Sequence, residues 1–154
     1  MFIRAIANNE IVHVAWGYDA KIPGCLGFAV YRVDQATGQE TALPAWVGWE
    51  GDANLTHQER TTAEWPVQKY VWKDLVGTHG ATYRYKIVPM VGTPDHLTPA
   101  PDAGLTQISN PVTIQAQHGD IDVVFNRGIL STQALAHSVP HDASGGWDGQ
   151  RVQM

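Results

Sequence analysis

The chain has 154 residues, with ten Lys and Arg against fifteen Asp and Glu and a formal charge of -5. That length holds one domain with a core plus a tail or long loop. The acidic balance, with cations scattered singly from Arg4 to Arg151, argues against a nucleic-acid backbone binder and against a patch for anionic membranes.

Phe2 to Ala7 reads as a first strand, and Asn8-Asn9 as a turn pair. Glu10 to Tyr18 alternates, with Val12, Val14 and Trp16 on one face and Ile11, His13 and Ala15 on the other. Pro23-Gly24 marks a connection, and Gly27 to Val33 is a third strand with Phe28 and Val30 inward. A polar loop follows at residues 34–39, with Gly38 where positive φ is needed. Thr41 to Val47 returns as a short strand that Pro44 confines to an edge.

Residues 48–66 form a long irregular segment rich in tryptophan. From Gln68 to Met90 the spacing predicts two antiparallel strands joined by a Gly-Thr-His-Gly turn, with Tyr70, Trp72, Leu75, Tyr83, Tyr85 and Ile87 facing the core. Residues 92–104 read as a proline-stiffened loop. Leu105 to Ala116 is a further strand, with a bulge or edge at Pro111. His118-Gly119-Asp120 makes a turn and Ile121 to Phe125 a last strand. A helix start is expected over Ile129–His137, and a flexible tail after Pro140. Strands at intervals of about ten residues, with turns and no helices between them, indicate an all-β antiparallel sandwich. It spans residues 2–117, followed by a strand/helix extension over 118–139 and a tail over 140–154.

The order of these residues resembles a fibronectin type III, immunoglobulin-like domain: the tryptophan ending VHVAW, the pattern GFAVYR, and Leu75 followed by a turn and Tyr83. The resemblance implies that Tyr83 is a structural tyrosine corner. The turn before it is about two residues longer than the family's and lacks its proline. A wider resemblance rests on WPVQKYVWKDL, TYRYKIVPMVGTP and FNRGILSTQALAHSVP, which look like the region preceding the catalytic domain in bacterial phospholipase D-like proteins. Asn126, Arg127, Gly128 and Ile129 match that group's lead-in segment. Phospholipase D chemistry uses a His-x-Lys-x-x-x-x-Asp motif, with histidine as nucleophile and acid. Two positions after the histidines of this chain stand Ala15, Glu59, Ala81, Thr98, Asp120, Val139 and Ala143, and none is lysine. The resemblance therefore implies an accessory domain without its catalytic region, and no catalytic residues.

Other chemistry is weakly signalled. The single cysteine, Cys25, rules out an internal disulfide and a cysteine metal cage, and it reads as an inert thiol. Asp52, His57, Glu59 and Glu64 could be imagined as metal ligands, but a solvated loop is the better reading of their irregular spacing. Asp120 and Asp122 share a strand face without a calcium loop around them. No Gly-x-Ser-x-Gly motif or phosphate loop occurs. No metal or cofactor is expected. MFIRAIANNE has no secretory signal pattern and no apolar run approaches twenty residues, which favours the cytoplasm.

Three functions follow as expectations. The first is a non-catalytic interaction or scaffold module, with a phospholipase D-like catalytic region or another chain as partner. The second is self-assembly by strand addition at Thr41–Val47 or Ile121–Phe125. The third is carbohydrate binding through Trp46, Trp49 and Trp65, whose rings could equally fold back to plug the sandwich edge.

Overall fold

The computed structural model describes residues 1–49 and 58–122. The expected helix and tail, Phe125 and the Asn126–Ile129 segment lie outside the described residues, as do Asp52 and His57. The described residues form an all-β sandwich of antiparallel strands. Its first sheet has the order β1 (Phe2–Ala7), β2 (Val12–Gly17), β7 (Val71–Asp74). Its second is built on β3 (Cys25–Asp34) and β8 (Thr82–Thr93), with β4 (Glu40–Ala42) beyond β3. Along the far side of β8 lie β9 (His96–Pro99), β10 (Gln107–Ile108) and β11 (Val112–Thr113). Two small ladders stand apart, β5 (Pro44–Ala45) with β6 (Arg60–Thr61), and β12 (Gln117–His118) with β13 (Ile121–Asp122).

Alternation decides the core. Val12, Val14 and Trp16 of β2 meet Phe28, Val30, Tyr83, Tyr85 and Ile87 of the opposite sheet, with Ala5, Ala7, Leu43, Val67 and Ile114 closing the sides. Each Val, Leu, Ile and Phe among them contributes about 1.5–3 kcal/mol on leaving water. The Trp16 ring meets Phe28 edge-on at 5.6 Å, and Tyr18 stacks on the same ring at 5.7 Å. The Trp16 indole N–H is buried without a hydrogen-bond partner among the described residues. Its edge-to-face contact with Phe28 is the kind aromatic rings favour.

Several expectations are corrected. The strands around Tyr70 and Tyr83 do not pair with each other: β7 joins β2 in one sheet and β8 joins β3 in the other. The segment 75–81 is thus a crossing between layers rather than a hairpin turn. It is tied by the Tyr83 hydroxyl, which accepts a hydrogen bond from Thr78 N at 3.2 Å. Tyr70 and Leu75 flank the four-residue β7 and are 54% and 45% exposed, and Trp72 is half-buried. Alternation stops governing a side chain where the ladder ends.

The supposed loop 92–104 is largely structured. β8 runs on to Thr93 and turns at Pro94-Asp95 into β9, with Thr93 paired to His96. Proline suits the first central position of a tight turn and the end of a strand, so three prolines do not forbid a hairpin here. Thr41–Val47 breaks into β4 and β5, and Leu105–Ala116 into a 3-10 turn (Ala103–Leu105), β10 and β11. Of Ile121–Phe125, Ile121–Asp122 is β13 and the rest lies outside the described residues.

Strand edges are closed by side chains. Asn110 bonds both ways to β1, its Oδ1 accepting from Ala5 N at 3.0 Å and its Nδ2 donating to Ala5 O at 3.0 Å. Where β4 leaves β3, the buried Thr62 hydroxyl takes over, accepting from Val30 N at 2.9 Å and donating to Val30 O at 3.0 Å.

Candidate functional site

Two places concentrate polar chemistry. The first is inside the sandwich. In the β2–β7 register Asp74 lies opposite Val12, so it points inward, and its side chain has no exposed surface. Arg32 of β3 reaches it with Nη1 at 3.1 and 3.3 Å from the two carboxylate oxygens. Tyr85 of β8 donates its hydroxyl to Asp74 at 2.9 Å, and Val76 N donates at 3.0 Å. The guanidinium also lies over the Tyr83 ring, 5.0 Å from its centroid. Burial first, then the neighbouring Asp74 charge, pushes the Tyr85 phenol far above its ordinary range. Such a shift can mark a reactive centre. Here Asp74, Arg32 and Tyr85 are inward-facing strand residues drawn from both sheets, and the cluster is a brace between them.

The second place is a surface groove of about 480 Å³, lined by Trp49, Arg60, Ala63, Glu64, Trp65, Pro94, Asp95 and Leu97. That volume is in the range of small-ligand sites. One wall is the turn after β6. Thr61 O accepts from Glu64 N at 3.0 Å and Trp65 N at 2.9 Å, while Glu64 Oε2 accepts from Thr61 N and Thr61 Oγ1, each at 3.0 Å. This reciprocal cap fixes the turn, and Val67 then bonds both ways to Phe28. The close approach requires Gly27, where a Cβ would stand 2.8 Å from Pro66 Cβ. The facing wall is the β8–β9 hairpin tip.

The locked turn sends Trp65 inward, leaving it 7% exposed. The Arg60 guanidinium lies 5.3 Å from the centre of its ring and 3.5 Å from Glu64 Oε1. Of the three tryptophans read from the sequence, the groove brings Trp49 and Trp65 together. Trp46 is half-buried and not among its lining residues. Trp65 is thus buried, while Trp49 is half-buried at the groove. Asp95 and Pro94, read from the sequence as loop residues, supply the carboxylate and apolar face opposite. A proline-aspartate turn between two β-rich runs was the sequence signal for this wall.

Among the described residues that line the groove there is no Ser, Thr, Cys, His or Lys. Its two carboxylates could suggest glycoside cleavage, which needs a general acid with a raised pKa. The hydrogen bonds from Thr61 N and Oγ1 instead hold Glu64 below its ordinary value. Among the described residues no group of three or more His, Cys, Asp or Glu is placed to hold a metal ion. No described helix is long and apolar enough to cross a membrane. Asp120 and Asp122 stand in the β12–β13 hairpin, and Cys25 begins β3 with its thiol directed to Gly27 O at 3.3 Å. No family model matches this chain, and no curated protein matches it either.

Proposed function

We propose that this chain is a non-catalytic recognition module that engages a partner protein through the Trp49–Arg60–Asp95 groove. The observation that carries the reading is the groove's rigid frame. The Glu64–Thr61 cap, the Arg60–Trp65 stack and the β8–β9 hairpin fix a concave surface before anything binds, which lowers the cost of association. Its tryptophan and arginine are the residue types that most often anchor protein contacts. The sequence resemblance names the partner to try first, a catalytic region of the phospholipase D-like kind.

The test is a titration of the labelled chain with such a separately produced catalytic region, read by NMR at the Trp49 indole and at the Arg60 and Asp95 amides. Saturable shifts there, weakened about tenfold or more in Trp49→Ala, support the proposal; tenfold corresponds to about 1.4 kcal/mol. Phosphodiesterase turnover by the chain alone, surviving repurification, overturns it.

Carbohydrate binding is a second reading, favoured by the surface position of Trp49 beside polar groups. It predicts quenching of tryptophan fluorescence by a glycan, and a panel without quenching removes it. Strand addition has less to work with. Asn110 occupies the middle of the β1 edge, and Pro44 and Ala45 are already paired with Thr61 and Arg60.

A further inference from the structure

The outer face of the β1–β2–β7 sheet gathers residues that the sequence keeps far apart. Phe2, Arg4 and Ile6 of β1, His13 and Ala15 of β2, and Val71 and Lys73 of β7 alternate with core residues and so point away from the interior. Across the strands the rows read Arg4–Ala15–Val71 and Ile6–His13–Lys73. Arg4 and Lys73 are exposed, and neither has a hydrogen bond or ion pair among the described residues. None of these outward positions is a carboxylate, although the chain as a whole is acidic.

The face is also apolar. Phe2 is 60% and Ile6 52% exposed. The Phe2 ring lies against Gly17, where a Cβ would fall 2.5 Å from its Cε1, so the missing side chain lets the ring rest on the sheet. From Phe2 to Ile6 is about 14 Å and from β1 to β7 about 10 Å. That is far below the roughly 800 Å² each partner buries in a standard protein interface, but it matches four or five residues of extended chain.

We propose that this face binds a short extended segment of a partner protein whose sheet-facing side chains, every second residue, are apolar and carboxylate in turn. The apolar residues lie along Phe2 and Ile6, and the carboxylates meet Arg4 and Lys73. Charge complementarity chooses this occupant over an anionic lipid surface. A short peptide meets chiefly the charges of the face it touches, here Arg4 and Lys73, because those farther off are screened over a Debye length of about 8–10 Å. A membrane would face the repulsion of the whole -5 body, with about 1 kcal/mol gained per cation. The Asn110 bonds at Ala5 obstruct the β1 edge, so the segment lies on the face rather than extending the sheet.

The experiment titrates the isotopically labelled chain with a capped hexapeptide carrying leucine, aspartate and leucine at its first, third and fifth positions and serine between them. A leucine–lysine peptide and phosphatidylserine vesicles are run beside it. Saturable amide shifts confined to β1, β2 and β7 are expected, absent with the lysine peptide. Affinity should fall about tenfold or more in the double variant R4E/K73E, and also in Phe2→Ala, each with an otherwise parental spectrum. No shift, shifts at the Trp49 groove instead, equal response to the lysine peptide, or vesicle binding without peptide binding overturns the proposal. Because these strands do not line the groove, failure here leaves the groove reading standing, and the reverse holds too.

Discussion

Asp74→Ala is the substitution that most directly probes how the two sheets are held together. It removes a carboxylate with no exposed surface and strands three donors: the Arg32 guanidinium, the Tyr85 hydroxyl and Val76 N–H. Breaking a buried ion pair from one side costs about 3–5 kcal/mol, and an orphaned buried hydroxyl about 1–3. These terms overlap, and Arg32, whose side chain is 18% exposed, regains some water. The expected loss is therefore about 4 kcal/mol, a large part of the 5–15 kcal/mol that holds a domain folded. In melting temperature it corresponds to roughly 15 °C for a body of this size. Tyr85→Phe, which leaves the Arg32 pair in place, should cost only about 1–1.5 kcal/mol. Urea unfolding followed by tryptophan fluorescence, with unchanged m-values, measures both. In the cycle with Arg32→Met the double variant should lose about 1–2 kcal/mol less than the sum of the singles. A loss under 1 kcal/mol for Asp74→Ala, or an additive cycle, would refute the brace.

The same cluster sets an alkaline limit. The Tyr85 pKa is raised in the folded chain above its ordinary 10.0. Its contribution is thus complete below pH 10 and declines as pH rises above it, because the unfolded chain loses that proton first. Stability measured from pH 8 to 11 should fall less steeply in Tyr85→Phe than in the parent. Tyr83→Phe removes the acceptor for Thr78 N and should cost about 1 kcal/mol in urea unfolding, with faster amide exchange at Thr78. Thr62→Val keeps the shape but leaves Val30 N–H unbonded in the core, for an expected loss of about 1–3 kcal/mol by the same assay. Gly92→Ala forces a Cβ against His96 O at φ +116°, so the β8–β9 hairpin should loosen and Trp49 emission should shift while the core stays folded.

The all-β fold was legible because period-2 burial is a local property. Val12, Val14, Trp16, Phe28, Val30, Tyr83, Tyr85 and Ile87 lie inside as their spacing predicts. Pairing is not local. Nothing in the run around Tyr70 and Tyr83 says that its two strands belong to opposite layers, because the deciding partners, Val14 and Val30, lie dozens of residues upstream. The inward Asp74 escaped notice because an acid in an alternating run reads as solvent-facing unless its cation is known, and Arg32 is far away in sequence. The groove was half legible. Tryptophans flagged the segment, but that Trp65 would be buried follows from the Thr61–Glu64 cap, and the opposite wall came from a turn hidden among prolines. The cationic face was invisible, since Arg4 and Lys73 come onto one face only through the register of three strands.

The bond pair between Ala5 and Asn110 joins positions 105 apart in the chain. A growing polypeptide therefore makes its first strand early and leaves that border unsatisfied until nearly all of the described body has emerged. Any copy cut short before residue 110 lacks both bonds and leaves the middle of that first strand's border bare, the kind of border that invites a foreign strand.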